Sequence, residues 1–227
     1  MKLIAVYHKE RTLRMISHLD VQRTLQRAFR RAGVPLAYSN GFNPHPLLSF
    51  ATAAATGMSS ECEWFEVQLS EPMEPAAFCG RVSAALPAGM SVSDAFEAPE
   101  GFGSLSSKLR AALYEAELTP ETPVGGERLQ RALDELLAGE IMVQKRTKSG
   151  VRPADIRPYI LRVSVEKVED DRIVLLVLGR LQADGGLRVD GFLDALLERL
   201  DARAAYEIHR MRMYFADDGP LPRLPVE

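Results

Sequence analysis

The segment from Ser17 to Phe50 constrains the fold most, because it contains a helix with a defined start and a defined end. Ser17 is typical of a helix N-cap, since its hydroxyl accepts hydrogen bonds from first-turn amides, and Asp20 faces the positive end of the helix. Gly33 and Pro35 predict where the helix ends. One apolar stripe recurs at helical spacing and consists of Val21, Leu25, Ala28, Phe29 and Ala32.

The polar residues of this helix fall mostly off the apolar stripe. They are Arg23, Gln26, Arg27, Arg30 and Arg31. Residues 1–50 contain eight Lys and Arg residues and two acids, whereas residues 51–100 contain one Arg and eight acids. The net charge of the whole chain is −3. Such an asymmetry indicates a local partner surface. The alternative is a solvated arginine face that pairs with acids such as Glu61, Glu63 and Glu66.

A stiff loop, residues 38–46, follows the helix. Its Asn-Gly pair predicts a turn. Two prolines hold the residues that precede them, Asn43 and His45, in extended backbone. Both side chains are therefore expected in a fixed geometry, either for a functional role of the kind that loops often carry or to satisfy backbone groups of the turn.

The SHLD sequence at residues 17–20, the arginine-rich helix and the sequence RRAGVPLAYSNGFNPHP resemble the radical-SAM-linked protein family. This family comprises bacterial proteins encoded beside radical SAM proteins or fused to their ends. The match is strong over residues 2–69 and recurs at residues 155–160. The resemblance implies a radical SAM protein as partner, and it implies no particular reaction for this chain.

Composition limits the class of protein. The chain has 227 residues, 46% hydrophobic and 26% charged, as is ordinary for a soluble globular protein. Its apolar N-terminus is too short for a signal peptide, and no apolar run approaches membrane-spanning length. We therefore expect a cytoplasmic protein without membrane contact.

The two cysteines argue against a metal centre. Cys62 and Cys79 lie far apart and lack metal-ligand spacing, which indicates reduced structural thiols. A radical SAM core needs three closely spaced cysteines, so this chain is not itself a radical SAM enzyme. Nothing in the sequence predicts a cofactor.

Strand and helix patterns recur on both sides of a Gly- and Ser-rich segment. Their order predicts an α+β fold of two tandem ferredoxin-like (βαββαβ) units with antiparallel sheets. The predicted first unit, residues 1–100, contains the SHLD helix and the GFNPHP loop, and a linker spans residues 101–107. Residues 108–217 form the predicted second unit, and residues 218–227 a loosely attached tail.

A second basic segment, residues 139–162, holds six Lys and Arg against two acids. Alternating cations at a hairpin tip can follow a phosphate backbone. This pattern assigns phosphate or partner contacts to Lys145, Arg146 and Lys148. Asp155 is expected to pair with Arg157 or to cap the next element.

Two functions of different classes are compatible with these features. The first is a binding module, in which the helix, the loop and the 145–157 hairpin line one basic cleft that binds RNA or presents a substrate to the radical SAM partner. Tandem ferredoxin-like units form such clefts in pseudouridine synthases and CRISPR RNA endoribonucleases, which is an analogy of fold. The candidate binding residues are Arg23, Arg27, Arg30, Asn43, His45, Lys145, Arg146, Lys148 and Arg157. The candidates for stacking on bases are Tyr38, Phe42 and Tyr159.

The alternative is an enzyme that modifies or processes RNA, or a metal-dependent enzyme. His18, Asp20 and His45 would then serve as acid–base groups or metal ligands. His18 is expected in the first helical turn, far in sequence from His45, so no metal ligand is assigned. The sequence contains no GxSxG elbow and no nucleotide-binding Gly-rich loop, and the binding hypothesis is favoured.

Overall fold

A computed structural model of the chain describes residues 1–147, 150–182, 185–216 and 221–223, with the backbone alone at residues 145–147. The chain forms two compact units. The first comprises residues 1–109 and the described residues from 212 onward, and the second comprises residues 110–211. The last strand therefore begins in the second unit and ends in the first, whereas the sequence assigns residues 108–217 to one unit.

Two helices and four strands make up the body of the first unit. Their bounds are β1 Lys2–Lys9, α1 His18–Arg31, β2 Leu48–Phe50, β3 Met58–Gln68, α2 Pro75–Ala85 and β4 Met90–Glu97. β1 lies between β3 and β4 and pairs antiparallel with both. β2 pairs antiparallel with the other edge of β3, so the strand order is β4-β1-β3-β2.

Side-chain alternation along these strands sets the core of the first unit. Leu3 and Tyr7 of β1 share a buried cluster with Phe65 and Val67 of β3. The helices contribute Val21, Leu25, Ala28, Phe29, Phe78 and Val82 to the same cluster. Burial of each large apolar side chain contributes about 1.5–3 kcal/mol to folding, so the stripe predicted for α1 is what fixes this helix on the sheet. Its last member, Ala32, is only half-buried.

The second unit contains two helices, five longer strands, a two-residue strand and part of the last strand. The bounds are β5 Leu109–Pro120, α4 Gly126–Ala138, β6 Met142–Thr147, β7 Gly150–Asp155, β8 Ile160–Glu169, β9 Arg172–Gln182, β10 Gly185–Gly186, α5 Val189–Arg199 and β11 Ala204–Phe215. β9 pairs antiparallel with both β5 and β8, and β5 lies between β9 and β11. β6 and β7 form a separate two-stranded ribbon.

The predicted α+β class with antiparallel pairing is confirmed. When the β6–β7 ribbon and the short β10 are left aside, each unit has the order β-α-β-β-α-β. In each unit the first of these four strands lies between the third strand and the fourth. Assignment of the pair to a tandem ferredoxin-like fold stays a prediction. No helix in the described ranges is long and apolar enough to cross a membrane.

Two segments differ from the sequence-based expectation. The expected linker at 101–107 runs into a short helix, α3, at Leu105–Lys108, because the Ser104 hydroxyl caps its first turn. In the expected tail, Leu221 is buried and the Phe215 N–H donates to the Pro222 carbonyl at 2.8 Å. The rest of residues 218–227 lies outside the described residues.

Candidate functional site

The start of α1 is held by a small polar network. The Ser17 hydroxyl accepts from the Asp20 N–H at 3.2 Å and donates to Asp20 Oδ2 at 2.7 Å. Arg23 Nη1 lies 3.1 Å from Asp20 Oδ1. The Ser17 hydrogen bond, followed by that from Arg23, lowers the pKa of Asp20 below its ordinary value. The predicted N-cap is confirmed, and Asp20 serves it as a capping partner.

The opposite face of α1 presents cations to solvent. Arg23, Arg27 and Arg30 are exposed. Among the residues that the structure describes, Arg27 and Arg30 have neither an ion pair nor a side-chain hydrogen bond. No Asp or Glu occurs between residues 21 and 60 of the sequence. These two guanidinium groups are therefore available to an anionic partner, and the alternative in which the α1 arginines pair with Glu61, Glu63 and Glu66 does not apply to them.

The loop 38–46 is closed by a ladder of hydrogen bonds. The Ser39 N–H donates to the His45 carbonyl at 2.9 Å, and the His45 N–H donates to the Ser39 hydroxyl at 3.1 Å. The Ser39 hydroxyl also lies 2.9 Å from His45 Nδ1. Outside this pair, Tyr38 and Pro46 form a β-bridge, and the Leu47 N–H donates to the Ala37 carbonyl at 2.9 Å. The loop is thus a fixed projection whose tip is residues 40–44.

The side chains at this tip face solvent. Asn43 and His45 are exposed, as expected from the sequence, and Phe42 is fully exposed. Because Nδ1 of His45 is engaged by Ser39, its Nε2 is the nitrogen left for an outside partner. Tyr38 at the base of the loop is also exposed over 45% of its surface. The loop therefore presents aromatic, amide and imidazole groups together.

A pocket of about 260 Å³ lies beside this loop. Its lining includes Lys2, His45, Ser49, Glu66 and Gln68. The Glu66 carboxylate is already engaged, since it accepts from the Ser49 hydroxyl at 2.8 Å and from the Leu105 N–H at 3.0 Å. Lys2 donates to the Gly103 carbonyl at 2.8 Å. Gln68 is exposed and is the amide that this pocket offers to a small polar ligand.

His18 lies in a different environment, beside a buried polar cluster that sequence reasoning missed. Lys9, Ser59, Ser60 and Glu63 are all buried. Burial lowers the pKa of His18; the Glu63 carboxylate opposes this shift and the Lys9 ammonium adds to it. Its buried Nδ1 has no hydrogen-bond partner among the described residues.

A signal for this cluster was present in the sequence. Glu63 is in phase with Phe65 and Val67, so the period-2 alternation of β3 already places its carboxylate on the core face. Cross-strand pairing of Tyr7 with Glu63 and of Lys9 with Ser60 completes the arrangement.

The three residues of the enzyme alternative are not brought together as a ligand set. Asp20 is exposed and bound to Ser17 and Arg23, His45 is bound to Ser39, and the His18 ring packs edge-on against Phe50 at 4.7 Å. Within the described ranges, no group of three His, Cys, Asp or Glu side chains is placed to hold a metal ion. Cys62 is buried and Cys79 half-buried, and within the described ranges neither forms a disulfide.

In the second unit, Asp155 and Arg157 have structural contacts. Asp155 Oδ1 accepts from the N–H groups of Ile141 and Arg157, each at 2.9 Å. The Arg157 guanidinium donates through Nε to the Leu137 carbonyl at 2.6 Å and through Nη1 to the Ile160 carbonyl at 3.1 Å. Asp155 therefore caps the next element, one of the two roles expected of it. Arg157 binds the last turn of α4, and its predicted role in RNA binding stays a prediction.

The three remaining candidate binding residues of the second segment have no described side chains. Lys145 and Arg146 belong to β6, where only the backbone is described, and Lys148 lies outside the described residues. A pocket of about 260 Å³ borders β6 and α5. Three carboxylates in its lining, those of Asp190, Asp194 and Glu198, make this pocket unsuited to a polyanion.

Comparison with known proteins identifies the family. The profile of a family described as "Uncharacterized protein conserved in bacteria (DUF2344)" matches residues 2–188. The chain belongs to this family. Its description names no radical SAM protein, so the radical SAM link stays a prediction from the resemblance. No curated protein matches the sequence.

Solved structures share the fold over 98% of this chain and about half of their own length. A chain in the crystal structure of a Cbf5-Nop10-Gar1 complex aligns with a TM-score of 0.58 at 13% identity, and 52% of it is covered. A chain of the archaeal box H/ACA sRNP Nop10-Cbf5 complex gives 0.53 at 12% identity and 51% coverage. A chain of an H/ACA RNP bound to a substrate RNA containing 2'-deoxyuridine gives 0.52 at 12% identity and 50% coverage. At identities this low, the three matches show a common fold alone.

Proposed function

We propose that this protein binds RNA through the first unit and presents it to a partner enzyme. The observation that carries the proposal is the exposed arginine face of α1. Arg27 and Arg30 have no partner among the described residues, within a 40-residue stretch, residues 21–60, that lacks any acid. Guanidinium groups suit phosphate because their planar donors match its oxygens. A net charge of −3 for the whole chain makes this local face distinctive.

The loop 38–46 extends the proposed surface. Six residues lie between Arg31 and Tyr38, which makes seven Cα–Cα steps, so the loop starts within about 25 Å of the end of α1. A single strand spans that distance with several nucleotides. Asn43 and His45 would then contact sugar or base edges while Arg23, Arg27 and Arg30 contact phosphates. The H/ACA RNP structure bound to a substrate RNA supports this choice of polyanion by analogy of fold alone.

This proposal assigns only additional contacts to the cations of the second unit. Arg157 already binds two carbonyl groups, so it would leave the helix end to reach a phosphate. Lys145, Arg146 and Lys148 are proposed as additional phosphate contacts, on the ground of their clustering in sequence. The principal binding residues are assigned to α1 and the loop 38–46.

We further propose that the partner enzyme is a radical SAM protein and that both act in the cytoplasm. The basis is the sequence resemblance at residues 2–69 and 155–160. Co-purification of the tagged full chain from a bacterium that encodes both proteins tests this. Recovery of a radical SAM protein in a stable ratio would support the partnership, and its absence from crosslinked samples would contradict it.

A titration with fluorescent RNA tests RNA binding. The Arg23→Ala/Arg27→Ala double variant should weaken binding at low salt with little change in melting temperature, because both side chains are exposed. The matched control is Arg131→Ala/Arg199→Ala, which removes the same charge from the exposed surfaces of α4 and α5. Equal affinities for the wild type and the α1 variant would refute the arginine face. No binding at micromolar protein would leave a protein–protein adaptor as the better interpretation.

One observation favours a second function, acid–base chemistry on the bound molecule. Titratable groups with perturbed pKa values beside buried charges are common in catalytic sites, and His18 has this environment next to Lys9 and Glu63. In this case His18→Gln would abolish RNA modification while RNA binding persists. Mass spectrometry of nucleosides from RNA incubated with the protein measures this modification. An unchanged nucleoside profile with the wild-type protein would contradict the acid–base function.

A further inference from the structure

Phe42 is unusual because a large apolar ring is fully exposed at the tip of a loop. Exposed apolar side chains are common singly, but this one stands on a loop whose two arms are fixed. Three hydrogen bonds between Ser39 and His45, the bridge from Tyr38 to Pro46 and two prolines hold these arms. The tip that carries Phe42 therefore projects from a rigid base.

The residues around Phe42 indicate the kind of partner. Its neighbours at the tip are Asn40, Gly41, Asn43 and Pro44, so the ring is the single aromatic group of the tip and stands among two amides and one proline. A hot spot for a protein partner is usually a cluster of apolar and aromatic anchors surrounded by contacts that exclude water, which this tip lacks. Amides and a lone aromatic ring are the groups that bind the edge and the face of a nucleobase.

We propose that the loop 38–46 recognises unpaired bases in RNA, with Phe42 stacking on one base. This inference rests on the proposed RNA-binding function and adds its substrate class, which is single-stranded segments or loops. Bases within a duplex already stack on their neighbours, so an exposed ring gains little there, whereas a splayed base offers a free face. The absence of acids between residues 21 and 60 removes local repulsion of the adjoining phosphates.

The pocket beside the loop accommodates a second base. Its volume of about 260 Å³ is below the range usual for drug-sized ligands and suits a single heterocycle. His45 Nε2, the Gln68 amide and the Lys2 ammonium supply donors and acceptors to a base edge. His45 lies three residues from Phe42, so consecutive unpaired nucleotides can reach both groups.

Fluorescence anisotropy with two labelled RNAs of equal length, one single-stranded and one a duplex, tests this inference. Phe42→Ala should weaken single-strand binding about 10-fold and leave duplex binding unchanged. Phe42→Trp should preserve single-strand binding, and Phe42→Leu, which keeps an apolar side chain without a ring, should behave like Phe42→Ala. Gln68→Ala should weaken single-strand binding by a smaller factor. Melting temperatures of all variants should match the wild type, since both side chains are exposed.

The outcomes separate this inference from the proposed function. Loss of single-strand binding in Phe42→Ala and Phe42→Leu, with duplex binding retained, supports the stacking role. Equal loss for both RNAs, or no loss for either, overturns it while RNA binding itself stands. If the wild type binds neither RNA at low salt, the proposed function fails as well, and Phe42 is better explained as an anchor for a protein partner.

Discussion

The two basic segments of the chain give similar signals in the sequence but differ in structure. In α1 and the loop after it, Arg27 and Arg30 are exposed and have no partner among the described residues. In the second segment, Arg157 donates to two backbone carbonyls and Asp155 accepts two backbone N–H groups. A count of charges does not distinguish a guanidinium that faces solvent from one that completes a helix end. The described side chains of the first segment therefore support a surface for a polyanion, whereas Arg157 of the second segment binds backbone groups.

The largest effect on stability is expected for Arg157→Met. This variant removes the donor from the Leu137 and Ile160 carbonyls in a half-buried position, so we expect a loss of about 2 kcal/mol in the free energy of unfolding. Chemical denaturation followed by circular dichroism measures it. The control is Arg152→Met on β7, an exposed position, where the change should stay within about 0.5 kcal/mol. Equal losses of stability in Arg157→Met and Arg152→Met would contradict a structural role for Arg157.

A smaller effect is expected for Ser17→Ala at the start of α1. The variant leaves the Asp20 N–H without its acceptor and should cost about 1 kcal/mol of stability. Ser17→Asp keeps an acceptor at the N-cap and should retain most of the wild-type stability. Denaturation curves provide the measurement. A Ser17→Ala protein as stable as the wild type would mean that the packed stripe of α1 alone fixes the helix and the arginines on its outer face.

A weaker effect, dependent on pH, is expected from His18. Because burial lowers its pKa in the folded state, the unfolded state binds more protons below the ordinary histidine pKa of about 6.5. Stability should therefore be full above this value and fall as the pH drops toward the lowered pKa. The change should be shallow because His18 is only half-buried. His18→Gln should flatten the pH dependence of the melting temperature between about pH 7 and pH 5. An unaltered profile would show that other groups cause the pH dependence.

Local patterns predicted α1 well because each signal concerns neighbouring residues. The Ser17 cap and the buried positions Val21, Leu25, Ala28 and Phe29 follow from hydrogen-bonding chemistry and helical spacing alone. The stiffness of the loop 38–46 was also predictable, since prolines restrict the residues that precede them. The antiparallel α+β class followed from the order of strands and helices.

Other features depended on contacts between distant residues and were not predictable in the same way. Arg157 binds a carbonyl twenty positions away, which no local pattern indicates. Lys9 is buried beside a register shift in the pairing of β1 with β3, which no local pattern indicates. The return of the chain to the first unit at Arg212 depends on which strands pair. Tertiary contacts therefore decided which of the polar residues belong to the structure and which face solvent.

The salt dependence of RNA binding tests the central claim most directly. If Arg23 and Arg27 each contact a phosphate of a single strand, the Arg23→Ala/Arg27→Ala variant should lower the slope of log K against log salt by about 1.4 in magnitude relative to the wild type. The Arg131→Ala/Arg199→Ala control should keep the wild-type slope. An α1 variant with the wild-type slope, or a control that loses as much, would contradict the assignment of RNA binding to the arginine face of α1.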